Sequence, residues 1–549
     1  MVSLGLAALW AACCGQPAAS TPLSWQSARA EAQALAREMT AAEKASLMLG
    51  IGWSDGVLTK WHYVGNIPPV ARLGVPPLNM MDAAGGFRTY WTELVGTVTC
   101  WPSLLSLAAS WDPELVRQFA AALGAEFRGK GANAILGPSV NVHRVARNGR
   151  NFEYLSGEDP YLGSQLVPAY VQGVQGAGVM AVTKHFALNQ QETHRNSASS
   201  VVDDATKWQL YYPPFEAAVR AGTSGVMCSY NRVNGTYACG DAVGISRDLK
   251  GAMGFQGFVQ SDWDATHSTS VAAGLDQEMP MTYDYREAGI LAGRHYFDGK
   301  NLGALSGAAV DEAATRILTP VARLRLLNRS YCAAPCEAAL RANVTSAAHA
   351  ALARAAAAAG IVLLQNDGVL PLAAPRVRAI AIIGAAADAR VYDPAGASQG
   401  QGGWHQGDYY SGGGSGHVTA GAAVVSPLRG IAARARAAGM AVHLSPTNDV
   451  SAAVALARTV DVAIVVGGAT SGESVDRPNL SLDHGGDALI AAVAAAAPKT
   501  VALVAAPGAF LTPWRGAVAA AAVLFLGGQE SGNAWADVLF GDVPPTGRL

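Results

Sequence analysis

The chain has 549 residues, which at about 100–200 residues per domain allows two to four domains with sizeable cores. Its formal net charge is −2 and only 15% of its residues are charged, so no basic field exists to hold nucleic acid or an anionic membrane. The composition points to a neutral partner, and after the N-terminus no stretch has the about 18 uninterrupted apolar residues of a membrane span.

Residues 4–14 are apolar and are followed by small residues up to Ser20. This pattern resembles a secretory signal peptide over 1–20, with an n-region that lacks Lys and Arg. Its removal would leave Cys100 and two close pairs, Cys228/Cys239 and Cys332/Cys336. The pairs are compatible with two local disulfides in an oxidising compartment, although spacing alone does not fix the pairing. Sequons at Asn234, Asn328, Asn343 and Asn479 are compatible with glycosylation there.

Residues 24–49 have the spacing of one amphipathic helix, with Leu35, Met39 and Leu47 among polar and small residues. Short apolar runs then begin, and each ends in polar chemistry. Residues 77–81 end at Asp82, 133–136 at Gly137-Pro138, 179–183 at Lys184-His185, 225–228 at Ser229-Tyr230-Asn231, and 258–260 at Asp262. Helical patterns at 113–128, 207–220 and 310–327 alternate with them. Such alternation over about 250 residues or more predicts βα units of a TIM-like (β/α)8 barrel, whose chemistry lies at the C-terminal ends of the strands. Two readings of Asp262 are open at this point: an N-cap of the next helix, or a carboxylate delivered to a site. Capping explains one or two such exits, but Lys184, His185 and Tyr230 are not favoured caps.

Residues 329–345 lapse into Cys, Pro and Asn and read as an interdomain linker between a domain at 21–328 and one at 346–549. The second region offers strands near 360–364, 379–383, 441–444, 462–466, 501–504 and 522–525, separated mostly by Ala-rich helices. Strands this apolar need cover on both faces, which predicts an open α/β/α sandwich. Two Gly-rich stretches, 383–388 and 411–417, lack the glycine spacing of a dinucleotide fold and the Gly-Lys-Ser/Thr of a P-loop. They read as loops near an entrance. No metal is indicated, since His185 and His194 lack zinc-like spacing with a third ligand.

Four runs carry a family resemblance: Lys184-His185-Phe186-Ala187-Leu188-Asn189-Gln190-Gln191-Glu192, Cys228-Ser229-Tyr230-Asn231, Gly257-Phe258-Val259-Gln260-Ser261-Asp262-Trp263, and Gly527-Gly528-Gln529-Glu530-Ser531-Gly532-Asn533-Ala534. In this order, from about residue 41 onward, the chain resembles glycoside hydrolase family 3 of the β-glucosidase type. The resemblance implies a barrel followed by an α/β sandwich and a cofactor-free, secreted, exo-acting enzyme. It would remove terminal β-D-glucose from a β-glucoside or short β-glucan by retaining double displacement. It also implies Asp262 as nucleophile and Glu473, on a second-domain loop after residues 465–472, as acid/base. Asp82, Arg88, Arg150, Lys184, His185, Tyr230 and Trp263 are implied as substrate binders. The first of these motifs reads Asp82-Ala83-Ala84 where the family has Asp-Gly-Pro, but it keeps the spacing to Arg88.

For this chemistry Asp262 must be ionised, and Lys184, His185 and Arg150 are expected to favour its charged form. Glu473 must carry a proton when it meets the glycosidic oxygen, so its pKa is expected to be raised. Glu153, Glu192 and Glu530 are assigned structural roles. Rival readings are a β-xylosidase or broad exo-β-glucanase, distinguished by room for the C6 hydroxymethyl, and a carbohydrate-binding relative without catalysis, which retention of Asp262 and Glu473 argues against. Relatives of this type continue into a fibronectin-like third domain, absent from this sequence, so an incomplete gene product is a further reading.

Overall fold

The computed structural model describes residues 21–54, 57–279, 282–284, 291–374, 376–388 and 407–549. The expected signal peptide at 1–20 lies outside the described residues. Among them, no helix is long and apolar enough to cross a membrane.

The N-terminal amphipathic segment is two helices, α1 (Trp25–Glu38) and α2 (Ala41–Met48), where one was expected. Thr40 causes the break. Its hydroxyl accepts from the Glu43 N–H while the Glu43 carboxylate accepts from the Thr40 N–H, a capping box that starts a new helix.

All five apolar runs are strands. With β1 (Gly65–Ile67) they form a six-stranded, curled half-barrel sheet in sequence order: β2 (Leu78–Met81), β3 (Ala134–Ile135), β4 (Met180–Phe186), β5 (Gly225–Cys228) and β6 (Phe258–Ser261). β1 pairs antiparallel with β2, and the other pairs are parallel. Helices α3 (Pro113–Gly129), α4 (Pro160–Gly176) and α5 (Pro213–Arg220) make the crossovers, each starting on a proline whose missing N–H costs nothing in the first turn. Pro213 also explains why the predicted helix at 207–220 is divided, with a separate turn at Lys207–Tyr211. Because β2 to β6 run parallel, their polar exits emerge on one edge. At the outer strands, the Ser261 N–H donates to the Gln277 carbonyl, the Glu278 N–H to that of Met48 and the Ile51 N–H to that of Asn66, each at 2.9 Å. Helix α6 (Gly307–Arg323) lies against α1 and α2, with an Arg29–Glu312 ion pair to the first and a Lys44–Asp311 pair to the second, both at 2.6 Å.

Residues 329–345 hold a short helix at Glu337–Arg341 and are fastened to the first sheet's surroundings. The Cys336 N–H donates to the Trp61 carbonyl at 2.8 Å, and the Val344 N–H to that of Thr97 at 2.9 Å. After α7 (Ala347–Ala359) comes a second six-stranded sheet: β7 (Val362–Asn366), β8 (Ala379–Ile383), β9 (Ala441–Ser445), β10 (Val462–Gly468), β11 (Thr500–Ala505) and β12 (Ala520–Leu524), in spatial order β7-β12-β11-β10-β8-β9. All pairs are parallel except β7 with β12. Alternation along the strands sorts side chains to two cores. Ile380, Ile382, Ile464 and Val466 pack with α7, α8 (Pro427–Ala437) and α11 (Ser531–Leu539). Ala381, Ile383, Ala463 and Val465 pack with α9 (Val450–Ala457) and α10 (Gly486–Ala496).

Both close cysteine pairs are disulfides, Cys228–Cys239 and Cys332–Cys336, and Cys100 is a buried thiol. Cys228–Cys239 ties the end of β5 to the loop beyond it and is fully buried. Replacing both of these cysteines with serine is expected to cost about 2–4 kcal/mol through the unfolded chain's regained freedom, read as a lower urea midpoint.

Candidate active site

The polar exits of the first sheet meet as the parallel topology requires. Asp82, after β2, accepts from the Tyr90 hydroxyl at 2.8 Å, and its Oδ2 lies 3.3 Å from Arg88 Nη1. The Arg88 N–H donates to the Asp82 carbonyl at 2.9 Å across the Asp-Ala-Ala turn. The ammonium of Lys184, near the end of β4, is 4.0 Å from Asp82. His185 is held from both sides. Its backbone N–H donates to Asn141 Oδ1 at 2.8 Å, and its Nδ1 lies 3.2 Å from the Tyr154 hydroxyl, so that Nε2 faces Asp262 Oδ2 at 3.6 Å.

Asp262 follows β6 and is 6% exposed. One carboxylate oxygen accepts from the Trp263 N–H at 2.8 Å, while Oδ2 has no hydrogen-bond partner among the described residues. An unsatisfied buried carboxylate oxygen is costly and marks a group kept for a reaction or a ligand. The helix-cap reading of Asp262 fails, since that carboxylate caps no helix start. Trp263 is half-buried, with its indole N–H on the Val64 carbonyl at 3.2 Å; the Trp53 indole donates to the same carbonyl at 2.9 Å.

Glu473 comes from the other sheet, on the loop after β10. It is 5% exposed and lies among basic groups of the first half. Its Oε1 is 2.9 Å from Arg195 Nη1 and 3.4 Å from Arg150 Nη1, and Oε2 accepts from the Ser415 N–H at 2.8 Å. Arg150 also grips Glu153 with two bonds of 2.9 Å and the Ser415 hydroxyl at 3.0 Å. Arg195 pairs with Glu192 at 2.7 Å and lays its guanidinium over the Tyr230 ring at 4.2 Å. Glu153 and Glu192 thus lie in ion pairs with Arg150 and Arg195, and Glu530 stands at the start of α11.

The loop carrying Glu473 is fastened to the first half. Asp476 accepts from the backbone of Gly149, Glu192 and Thr193 at 3.2, 2.9 and 2.9 Å, and the Ser474 N–H donates to Glu192 at 2.8 Å. Contact is so close at Gly149 that a Cβ there would stand 2.0 Å from the Val475 carbonyl oxygen. The Gly-rich stretch at 411–417, expected to be a loop near an entrance, is part of this wall. At Gly414, with φ +87°, a Cβ would lie 2.2 Å from that of Glu473.

Residues 64–319 match the glycosyl hydrolase family 3 N terminal domain, and residues 361–549 the family's C-terminal domain. The chain belongs to glycosyl hydrolase family 3. It is 37% identical to the beta-glucosidase cel3A of Pyricularia oryzae over 97% of this chain and 72% of that protein. The solved beta-D-glucoside glucohydrolase of Trichoderma reesei superposes with a TM-score of 0.84 at 34% identity, covering 97% of this chain and 74% of that one. A beta-glucosidase from Streptomyces venezuelae, solved with D-glucose, gives 0.79 at 28% identity, covering 93% and 76%.

Within this family-3 cluster, charge states differ from the expectation in three places. His185 is held well below its ordinary pKa by burial and by Arg150 and Lys184, so it is neutral and lends Asp262 no positive charge. Burial pushes the Asp262 carboxyl up to about 6 against the pull of Arg150, Arg195 and Lys184. Glu473 goes the other way. Burial raises it, but Arg150, Arg195 and the Ser415 hydrogen bonds outweigh burial and hold it well below the ordinary range.

Sequence reasoning missed Arg195, Ser415 and Asp476. Arg195 and Ser415 touch Glu473, and Asp476 holds its loop. Glycines flanking Ser415 were the available signal for close backbone approach; nothing local marks Arg195.

Two outcomes follow from the packing and the charges. Gly149→Ala is expected to lift the loop, lowering kcat by about 10²-fold, since an ångström of misplacement has that effect on a reacting group, and lowering the melting temperature as well, because the buried ion pairs and backbone bonds of Glu473 and Asp476 loosen with it. A reaction that needs one proton on the Asp262–Glu473 pair loses it as pH rises through the higher apparent pKa. The kcat/KM profile should therefore fall above about pH 6, from the Asp262 value, and its acidic limb should lie below the ordinary carboxylate range because of Glu473.

Proposed function

We propose that this chain is a retaining, exo-acting β-glucosidase that hydrolyses terminal non-reducing β-D-glucosyl residues by double displacement. The observation that carries the proposal is the pairing of a buried, half-unsatisfied Asp262 at a strand exit with a buried Glu473 presented by the other sheet. Relatives and solved neighbours named as β-glucosidases support it.

In this reading Asp262 attacks the anomeric carbon while Glu473 gives its proton to the glycosidic oxygen, leaving a glycosyl ester on Asp262. Glu473, now a carboxylate, takes a proton from water, which opens the ester with retained configuration. Asp82, Arg88, Lys184 and Arg150 hold the sugar hydroxyls through charge-assisted bonds. Neutral His185 can donate one hydrogen bond and accept another. Tyr230 borders the nucleophile, and Trp263 offers an aromatic face to the sugar or aglycone. The curled sheet belongs to a TIM-like barrel in residues 21–328, closed through segments 49–51 and 277–278. A linker at 329–345 joins it to the sandwich at 346–549. Two disulfides support a secreted protein with a signal peptide at 1–20.

Nitrophenyl β-glucoside is expected to be cleaved by the wild type and not measurably by folded Asp262→Ala. Undiminished turnover in that variant, or preference for nitrophenyl β-xyloside in the wild type, would overturn the assignment. Glu473→Ala is expected to lose about 10²–10⁴-fold with an unactivated aglycone. Azide should restore turnover of an activated glucoside by that variant and leave a β-glucosyl azide; no rescue argues against Glu473.

A further inference from the structure

A proton donor that is held anionic in the empty site needs something to release it. The groups around Glu473 supply a candidate. Arg150 is committed by two bonds to Glu153, whereas Arg195 uses the same Nη1 for two carboxylates, Glu192 at 2.7 Å and Glu473 at 2.9 Å. Glu192 is more deeply buried than Glu473 and has the Ser474 N–H as a second donor. Among the described residues, Tyr90, Tyr230, His185 and Asp262 also face Glu473, and Tyr230 lies under the Arg195 guanidinium. Beside Arg195 is a cavity of about 490 Å³, lined also by Arg144, Asn189, Gln190, Ser200 and Asn231, and not by Asp82, Asp262 or Glu473. Arg195 therefore has a second anionic partner and open space beside it; Arg150 is already doubly bonded to Glu153.

We propose that Arg195 is a positioning residue for the acid/base: it clamps Glu473 in the empty site and passes wholly to Glu192 when a glycosidic oxygen arrives, leaving Glu473 to hold the proton. This rests on Glu473 being the acid/base. The proton is the one the pair already carries: as the clamp opens, Asp262 gives it up and Glu473 takes it, relayed by solvent water, so Asp262 becomes the carboxylate that attacks. From Glu473 the proton moves to the leaving oxygen as the glycosidic C–O bond breaks and the bond to Asp262 forms, so the aglycone departs as the neutral alcohol. Glu192, which touches no substrate in this scheme, is the receiving partner.

Arg195→Gln, Arg195→Lys and Glu192→Gln would be compared on phenyl β-glucoside, which needs leaving-group protonation, and on 2,4-dinitrophenyl β-glucoside, which does not. Removing the cation raises the pKa values of the pair, so Arg195→Gln should move the basic limb of kcat/KM up by about one pH unit, within the range known for a charge at this distance. Glu192→Gln removes an anion and the receiving partner. Its basic limb should move down, and kcat should fall at least about tenfold on the phenyl substrate with little change on the dinitrophenyl one, as loss of general-acid help requires. Arg195→Lys should keep the limb near its wild-type position. Limbs that stay put or move the same way in Arg195→Gln and Glu192→Gln, or equal losses on both substrates in folded Glu192→Gln, would overturn the proposal. If Glu473→Ala is itself equally impaired on both substrates, the acid role falls first and the proposal with it; a normal substrate split there confines a failure to Arg195.

Discussion

The site depends on a buried carboxylate that has to be met by cations from another part of the fold. Glu473 is 5% exposed, and a charge so far from water is tolerated only when paired and hydrogen-bonded. Arg150 and Arg195 come from loops of the first sheet, and Ser415 from the second half. The two sheets must therefore keep one relative position, or two guanidinium groups and a carboxylate lose their partners together. Asp476 reinforces that position with three backbone N–H groups, and Gly149 admits the loop by having no side chain.

The same arrangement divides the two carboxyls chemically. Asp262 lies beside a neutral His185 and keeps one oxygen without a hydrogen-bond partner among the described residues, so burial dominates and its pKa rises. Glu473 is buried as well, but the cations outweigh that burial. A proton shared by the pair then sits mostly on Asp262, the reverse of what the proposed roles of the two carboxyls require. In the proposed mechanism substrate binding must correct this, and Arg195, whose Nη1 serves both Glu192 and Glu473, is the cation proposed to change its pairing.

Much of the fold could be read along the chain. The apolar runs ending at Asp82, Lys184, Tyr230 and Asp262 are strands because hydrophobic runs of this length bounded by turns have few other uses. Their parallel order follows from the helices between them. Where reading failed, a local device was responsible: the capping box at Thr40 divided one expected helix, and Pro213 divided another. Among the site residues, those next to strand exits were legible, whereas Arg195 lies in a polar loop with no periodicity to mark it. Ser415 was hidden in a glycine-rich stretch read only as an entrance loop.

The sequence by itself determined which elements form, which pairs of cysteines are near enough to bond, and which side chains leave the strands on the reactive edge, because hydrophobic period, turn chemistry and short separations are local properties. Only the tertiary structure decided the charge of each group. A pKa depends on burial and on every charge within a few ångströms, and the charges that matter to Glu473 stand 323 and 278 positions away in the chain, at Arg150 and Arg195. No window along the sequence contains both partners.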